Sequence, residues 1–141
     1  MNENSNIFIN KKILIYGLGK SGISTFEFLN KKNKVYLFDD FKNKITRPLL
    51  KKKVISLKSL LSLNFDLIII SPGIDVNNCK LSNFLKSKKN IIYTDLDIFS
   101  SFFKNDSITI TGTNGKSTTC KLLYEVLKKQ KYDVKLVGNI G

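Results

Sequence analysis

Ser107-Ile108-Thr109-Ile110-Thr111-Gly112-Thr113-Asn114-Gly115-Lys116-Ser117-Thr118-Thr119-Cys120 is the stretch on which the reading of this chain turns. Residues 107–111 alternate β-branched side chains in the manner of a strand, and residues 112–115 make a tight glycine turn. Lys116 then opens a segment with apolar residues at Leu122, Leu123, Val126 and Leu127, the spacing of one helix face. The pattern predicts strand, loop, helix. Glycines 112 and 115 let the backbone approach an anion closely, and the free N–H groups and positive end of the new helix point at it. Lys116 adds a point charge, and the Ser117 hydroxyl can reach a phosphate or its Mg2+. Gly112, Thr113, Asn114, Gly115, Lys116, Ser117 and Thr118 are therefore the candidate phosphate-binding residues, and Ser117 is the candidate metal ligand. ATP is the leading ligand.

The common phosphate loop is spaced G-x-x-x-x-G-K-[ST], and Ile110 stands where its first glycine would fall. What remains is the tighter G-x-x-G-K-S-T. A glycine-rich βα turn with a chance lysine would match a bare G-K-S. The strand before it, the helix after it and the doubled Ser117-Thr118 favour nucleotide phosphate instead.

A second glycine turn lies near the start of the chain. Lys12 to Tyr16 is a short apolar strand running into Gly17-Leu18-Gly19-Lys20-Ser21-Gly22, which is G-x-G-x-x-G. A helix follows with Ile23, Phe26, Phe28 and Leu29, then a strand over Val35 to Phe38 that closes on Asp39-Asp40. A lone G-x-G-x-x-G is weak evidence. Set in a βαβ unit, with acids about 20 residues on, it supports a dinucleotide-type fold. The alternative is that glycine there serves only to pack helix on strand.

Between the two turns, Phe41 to Lys53 reads as loop and frayed helix broken by Pro48, Val54 to Ser56 as a short strand and Leu57 to Leu63 as a short helix. Leu67 to Ile70 is an uninterrupted apolar strand of the kind buried on both faces of a parallel sheet. It stops at Ser71-Pro72-Gly73-Ile74, a candidate lip of the site at Gly17 to Gly22. Leu81 to Lys86 reads as helix, Ile91 to Tyr93 as strand, and Asp95 to Phe103 as a helix capped by Thr94 or Asp95. Residues 104–106 form a polar hinge, which places a domain boundary between residues 1–104 and 105–141. Val134 to Val137 reads as a last strand. The fold class is α/β: a Rossmann-like parallel-sheet domain, then the start of a P-loop ATPase-type domain. Two strands and a helix cannot cover a sheet, so the second domain is expected to be incomplete and the 141 residues to be the front of a longer protein.

The net charge of +13 invites a nucleic-acid reading. Yet the 24 basic residues are 23 lysines and the single Arg47, whereas base and phosphate recognition favours the forked guanidinium. With no Ala, His or Trp and abundant Asn, Ile and Phe, the bias reads as A/T-rich coding that places Lys on solvated faces. No nucleic-acid partner is expected. No stretch approaches the roughly 20 apolar residues of a membrane span, and residues 1–10 have none of the marks of a secretory signal, so the cytoplasm is expected. Cys79 and Cys120 fit neither a metal spacing nor a disulfide framework, and the lack of His removes His-based catalysis and ligation.

Taken together, Gly17 to Gly22, Ser71-Pro72-Gly73-Ile74, Thr111 to Thr118 and Gly138-Asn139-Ile140-Gly141 resemble the Mur ligase family, over nearly the whole chain from Lys11 to Gly141. The S-P-G-I and G-N-I-G pair tilts the resemblance to those members that add D-glutamate to UDP-N-acetylmuramoyl-L-alanine. What the resemblance implies is an ATP- and Mg2+-dependent ligase of peptidoglycan precursor synthesis, monomeric, in which ATP activates the substrate carboxylate as an acyl phosphate. Lys116, as the catalytic residue, would offset charge on the transferring phosphoryl group. Lys20, Ser21, Asp40 and Phe41 would lie by the uracil, and Gly73, Gly138 and Asn139 near the diphosphate. Phe41 departs from the basic residue that relatives can carry there. The remaining metal ligands, the adenine contacts and the D-glutamate domain would lie beyond Gly141, leaving this chain inactive alone. Another Mur or folylpolyglutamate ligase, a non-catalytic nucleotide-binding module and an NAD-dependent dehydrogenase are the alternatives.

Overall fold

The computed structural model describes residues 6–41 and 47–138. The chain divides into two compact units, Met1–Lys104 and Asn105–Gly141, at the polar hinge.

In the first unit, β1 (Lys12–Tyr16), β2 (Lys34–Phe38), β3 (Leu67–Ile70) and β4 (Ile92–Tyr93) form a parallel sheet in the order β2-β1-β3-β4. The strands are apolar on both faces because both are covered. Ile13, Ile15, Val35, Leu37, Leu67 and Ile69 face one way, against Phe26 and Leu29 of α1 (Lys20–Leu29), Leu50 of α2 (Pro48–Lys51) and Ile98 of α5 (Asp95–Phe102). Leu14, Tyr16, Phe38 and Ile68 face the other way, against Leu60 of α3 (Leu57–Leu61) and Leu81 and Leu85, the latter on α4 (Ser82–Ser87). This is the doubly wound arrangement expected of a Rossmann-like domain.

Local chemistry sets the element ends. Thr94, rather than Asp95, caps α5 in a reciprocal box with Asp97. A 3₁₀ turn at Lys89–Ile91 trims the strand expected at Ile91 to Tyr93 to two residues. The strand expected at Val54 to Ser56 is a single bridge from Val54 to Leu37 on the sheet edge. Residues 42–46 of the expected loop lie outside the described residues.

The second unit holds α6 (Lys116–Lys129). The strands expected at Ser107 to Thr111 and Val134 to Val137 are not formed. A strand exists only as part of a ladder, and among the described residues neither segment has one. Ile108 and Val137 are correspondingly 67% and 69% exposed. The sequence pattern registered β propensity, which pairing alone turns into a strand.

Ile69, 2% exposed between two helical layers, is expected to lose about 2–5 kcal/mol of stability on truncation to Ala. Leu49→Ala, at a position 61% exposed, should stay within about 0.5 kcal/mol. Urea denaturation of both variants checks the contrast.

Candidate functional site

The register of β1 builds the site. Tyr16 lies level with Phe38 on one side and Ile70 on the other, so the carboxyl ends of three strands coincide and the chain leaves them together at Gly17, Asp39 and Ser71. The chain runs from β1 to β2 on one flank and returns to β3 on the other. The crevice between β1 and β3 is therefore the topological switch point, where open α/β sheets take ligands.

Two turns meet in that crevice. Gly17 has φ +94°, and a Cβ there would lie 2.9 Å from Cβ of Ser71. The Ser71 hydroxyl donates to the Gly17 carbonyl at 2.7 Å, and the Ser71 amide to the Tyr16 carbonyl at 3.0 Å. Gly22, on α1, packs so closely that a Cβ would sit 1.9 Å from the Gly17 carbonyl oxygen. Gly17 and Gly22 are thus glycines for packing, as the structural alternative for this motif required. Gly19 and Gly73 have open space where a Cβ would stand, so their backbone is free to be approached. The first hydrogen bond of α1 runs from the Ile23 amide to the Gly19 carbonyl, and Gly19 provides no side-chain cap.

The two acids after β2 do different work. Asp39 uses both oxygens on backbone amides, Leu18 at 2.6 Å and Phe41 at 2.7 Å, and so fastens the glycine turn to the end of β2. Asp40 accepts from the Tyr16 hydroxyl at 2.8 Å, and the Lys80 ammonium donates to its carbonyl at 3.2 Å. Burial, then the hydrogen bond to Asp40, then the neighbouring Cys79 push the Tyr16 phenol well above its ordinary value, so it remains a neutral donor.

The remaining expected substrate residues do not form one described cluster. Ser21 donates its hydroxyl to Asp95 at the start of α5. Lys20 is exposed, as is Phe41 at 69%. Gly138 has φ +127° and belongs to the other unit; Asn139 lies outside the described residues. Tyr16, Asp39 and Asp95 were not singled out from sequence as ligand-side residues; Ser71 was, as part of the candidate lip at Ser71-Pro72-Gly73-Ile74. Asp39 had a signal, an acid at the end of β2, but nothing in the sequence told it apart from Asp40.

In the second unit, Gly115 turns the chain into α6 with φ +75° and no side-chain cap. The first helical hydrogen bond is from Thr119 N–H to the Gly115 carbonyl, so the amides of residues 116–118 precede the ladder and point out of the helix end. Lys116 folds back: its ammonium donates to the carbonyls of Gly112 and, at 3.1 Å, Thr113. These groups suit an anion: three unladdered amides, one ammonium and the half-buried Ser117 hydroxyl. Ser117 could supply one of the six or so oxygens that Mg2+ takes. Among the described residues, no group of three or more His, Cys, Asp or Glu could hold a metal ion. No helix among them is long and apolar enough to cross a membrane.

A doubly wound parallel sheet with a glycine turn and a Ser-Pro-Gly turn interlocked at its switch point defines a Rossmann-like α/β domain. A family model described as the Mur ligase MurD-like N-terminal domain matches residues 11–93, and the chain belongs to that family. Relatives agree. The chain is 40% identical over 135 residues to the UDP-N-acetylmuramoylalanine–D-glutamate ligase of Rickettsia conorii, covering 93% of this chain and 27% of that protein. It is 39% identical to the enzyme of that name in Buchnera aphidicola subsp. Schizaphis graminum, covering 95% and 31%, and 37% identical to that of Aquifex aeolicus, covering 92% and 29%. The chain therefore spans about three-tenths of the length of these relatives.

Gly22→Ala should destabilise the fold by at least about 2 kcal/mol through the clash with Gly17, whereas Gly19→Ala should leave the thermal midpoint nearly unchanged. Calorimetry of the pair separates a packing glycine from an open one. For Tyr16 the sign is set by a folded-state pKa above the unfolded one. Its contribution is complete below the unfolded value of about 10 and is lost as pH rises beyond it. The unfolding midpoint should therefore fall more steeply above pH of about 10 than that of Tyr16→Phe, measured in parallel.

Proposed function

We propose that this chain provides the UDP-substrate-binding domain, residues 1–104, and the opening of the ATP-binding domain, residues 105–141, of a cytoplasmic ligase. The ligase joins D-glutamate to UDP-N-acetylmuramoyl-L-alanine in peptidoglycan precursor synthesis, using ATP and Mg2+. The observation that carries this reading is the pairing of the Gly17 to Gly22 turn with Ser71 at the switch point, in a chain of the Mur ligase family. The names of its relatives supply the reaction.

In this reading the first glycine turn serves the uridine end of the substrate, with Lys20, Ser21, Asp40 and Phe41 around it. The open backbone at Gly73 is available to the diphosphate. Residues 112–118 take the triphosphate of ATP. ATP supplies the phosphoryl group that activates the substrate carboxylate. What this chain contributes is placement: the amides at the start of α6 orient the phosphates, and the Lys116 ammonium exchanges the two loop carbonyls that it now holds for phosphate oxygens. A charge-assisted bond to an anion is stronger than one to a neutral carbonyl, so the exchange favours the bound state. The hydroxyl of Ser117 adds one metal ligand.

In the full-length protein, Lys116→Ala should lower D-glutamate-dependent phosphate release by about a hundredfold or more. Residues 1–141 alone should bind UDP-N-acetylmuramoyl-L-alanine in preference to NAD and release no phosphate. Preference for NAD, or D-glutamate-dependent turnover by the isolated chain, would overturn the assignment.

A further inference from the structure

α5 is apolar on two sides, and the core accounts for one of them. Ile98 is buried in the core and Phe102 packs against it. Leu96, Phe99 and Phe103, spaced three and four residues apart along another side, are 74%, 48% and 48% exposed. A surface helix ordinarily carries one apolar stripe, toward the core, so a second one calls for a cover from outside the domain.

The stripe does not stand alone. Phe99 and Phe103 stack at 4.9 Å, and the half-exposed Phe28 of α1 meets Phe102 edge-on at 5.0 Å. The Asn6 side chain donates to the Ser101 carbonyl at 3.2 Å, which sets the next residue, the half-exposed Ile7, beside the end of α5. Single apolar side chains scattered over a surface need no explanation, but a contiguous set marks an interaction site.

The charges at its edge choose the occupant. Lys31 and Lys32 follow the end of α1 just past Phe28, and Lys104 follows Phe103; all three are exposed. The acids of the same elements are already engaged: Glu27 with Arg47 at 2.8 Å, Asp95 with the Ser21 hydroxyl, and Asp97 with Thr94 in the cap of α5. With a net charge of +13, two copies of this chain repel each other. An anionic lipid surface attracts the chain instead, takes phenyl rings into the acyl boundary and keeps lysine ammonium groups among the headgroup phosphates.

We propose that the outer side of α1 and α5 docks on an anionic membrane surface, with Ile7, Phe28, Leu96, Phe99 and Phe103 inserted at headgroup level and Lys31, Lys32 and Lys104 on lipid phosphates. The chain then lies on the bilayer without spanning it. Phe28 and Phe103 end their helices near the segment that precedes β1, at the amino edge of the sheet, so docking leaves the crevice at the carboxyl edge open.

Cosedimentation of this chain with phosphatidylglycerol and with phosphatidylcholine vesicles tests the proposal. Binding should favour phosphatidylglycerol and weaken as salt is raised. Phe99→Ser combined with Phe103→Ser should weaken it by about tenfold or more, and Lys31→Gln, Lys32→Gln and Lys104→Gln by about fivefold each. Leu61→Ser, at an exposed position of α3 in the opposite helical layer, should bind as the unsubstituted chain does. Leu96→Ser, at the most exposed of these positions, carries the same test if the double variant does not fold. Serine variants that bind like the unsubstituted chain would reduce the attraction to charge alone and overturn the inference. A dimer that forms without vesicles and is lost in the serine variants would overturn it by giving the face to a second copy. Binding by this chain that the full-length protein lacks would overturn it by giving the face to the rest of the fold.

Discussion

The rest of the structure depends on the parallel register of β1 with both of its neighbours. Because Tyr16 is level with Phe38 and with Ile70, three strands stop at one height and hand the chain to three loops at one edge. A slip of one residue would turn Tyr16 from the α3 and α4 side to the opposite face and exchange the two cores. The alternation of Ile13 and Ile15 against Leu14 and Tyr16 holds the register in place, since each set fits a different helical layer.

On that edge, contacts between loops matter more than any one motif. The Gly17 carbonyl is the meeting point: Ser71 donates to it from the far side of the crevice and Gly22 closes over it from α1. A short side chain at residue 71 and none at residue 22 are the steric conditions for two turns to share one carbonyl. Asp39 then ties the same turn to β2 through the Leu18 amide. The glycine turn is thereby held from all three strands, as expected of a surface that must meet a ligand without reorganising.

The second unit follows a different logic. Its glycine-loop geometry is local: Gly115 in a left-handed conformation, α6 starting at once, and Lys116 bent over the loop carbonyls. These features need only a few neighbouring residues, so they form without a sheet beside them. The flanking segments need hydrogen bonds from distant chain. α6 accordingly has no buried residue, and its apolar stripe at Leu122 and Val126 is open.

The sequence by itself determined the α/β class, the four paired strands of the first unit, both glycine turns and the family. All of these are written in short-range patterns: apolar runs, helical spacing, and glycines at fixed intervals. Only the tertiary structure decided which glycines pack and which stay open, which of two neighbouring acids closes a turn, and that Tyr16 carries its hydroxyl to Asp40. It also removed the strands expected at residues 107–111 and 134–137. The physical reason is the same in each case. A hydrogen bond between Tyr16 and Asp40, a Cβ clash between Gly22 and Gly17, or a ladder for Ser107 to Thr111 depends on where a second piece of backbone lies. No local pattern encodes that position.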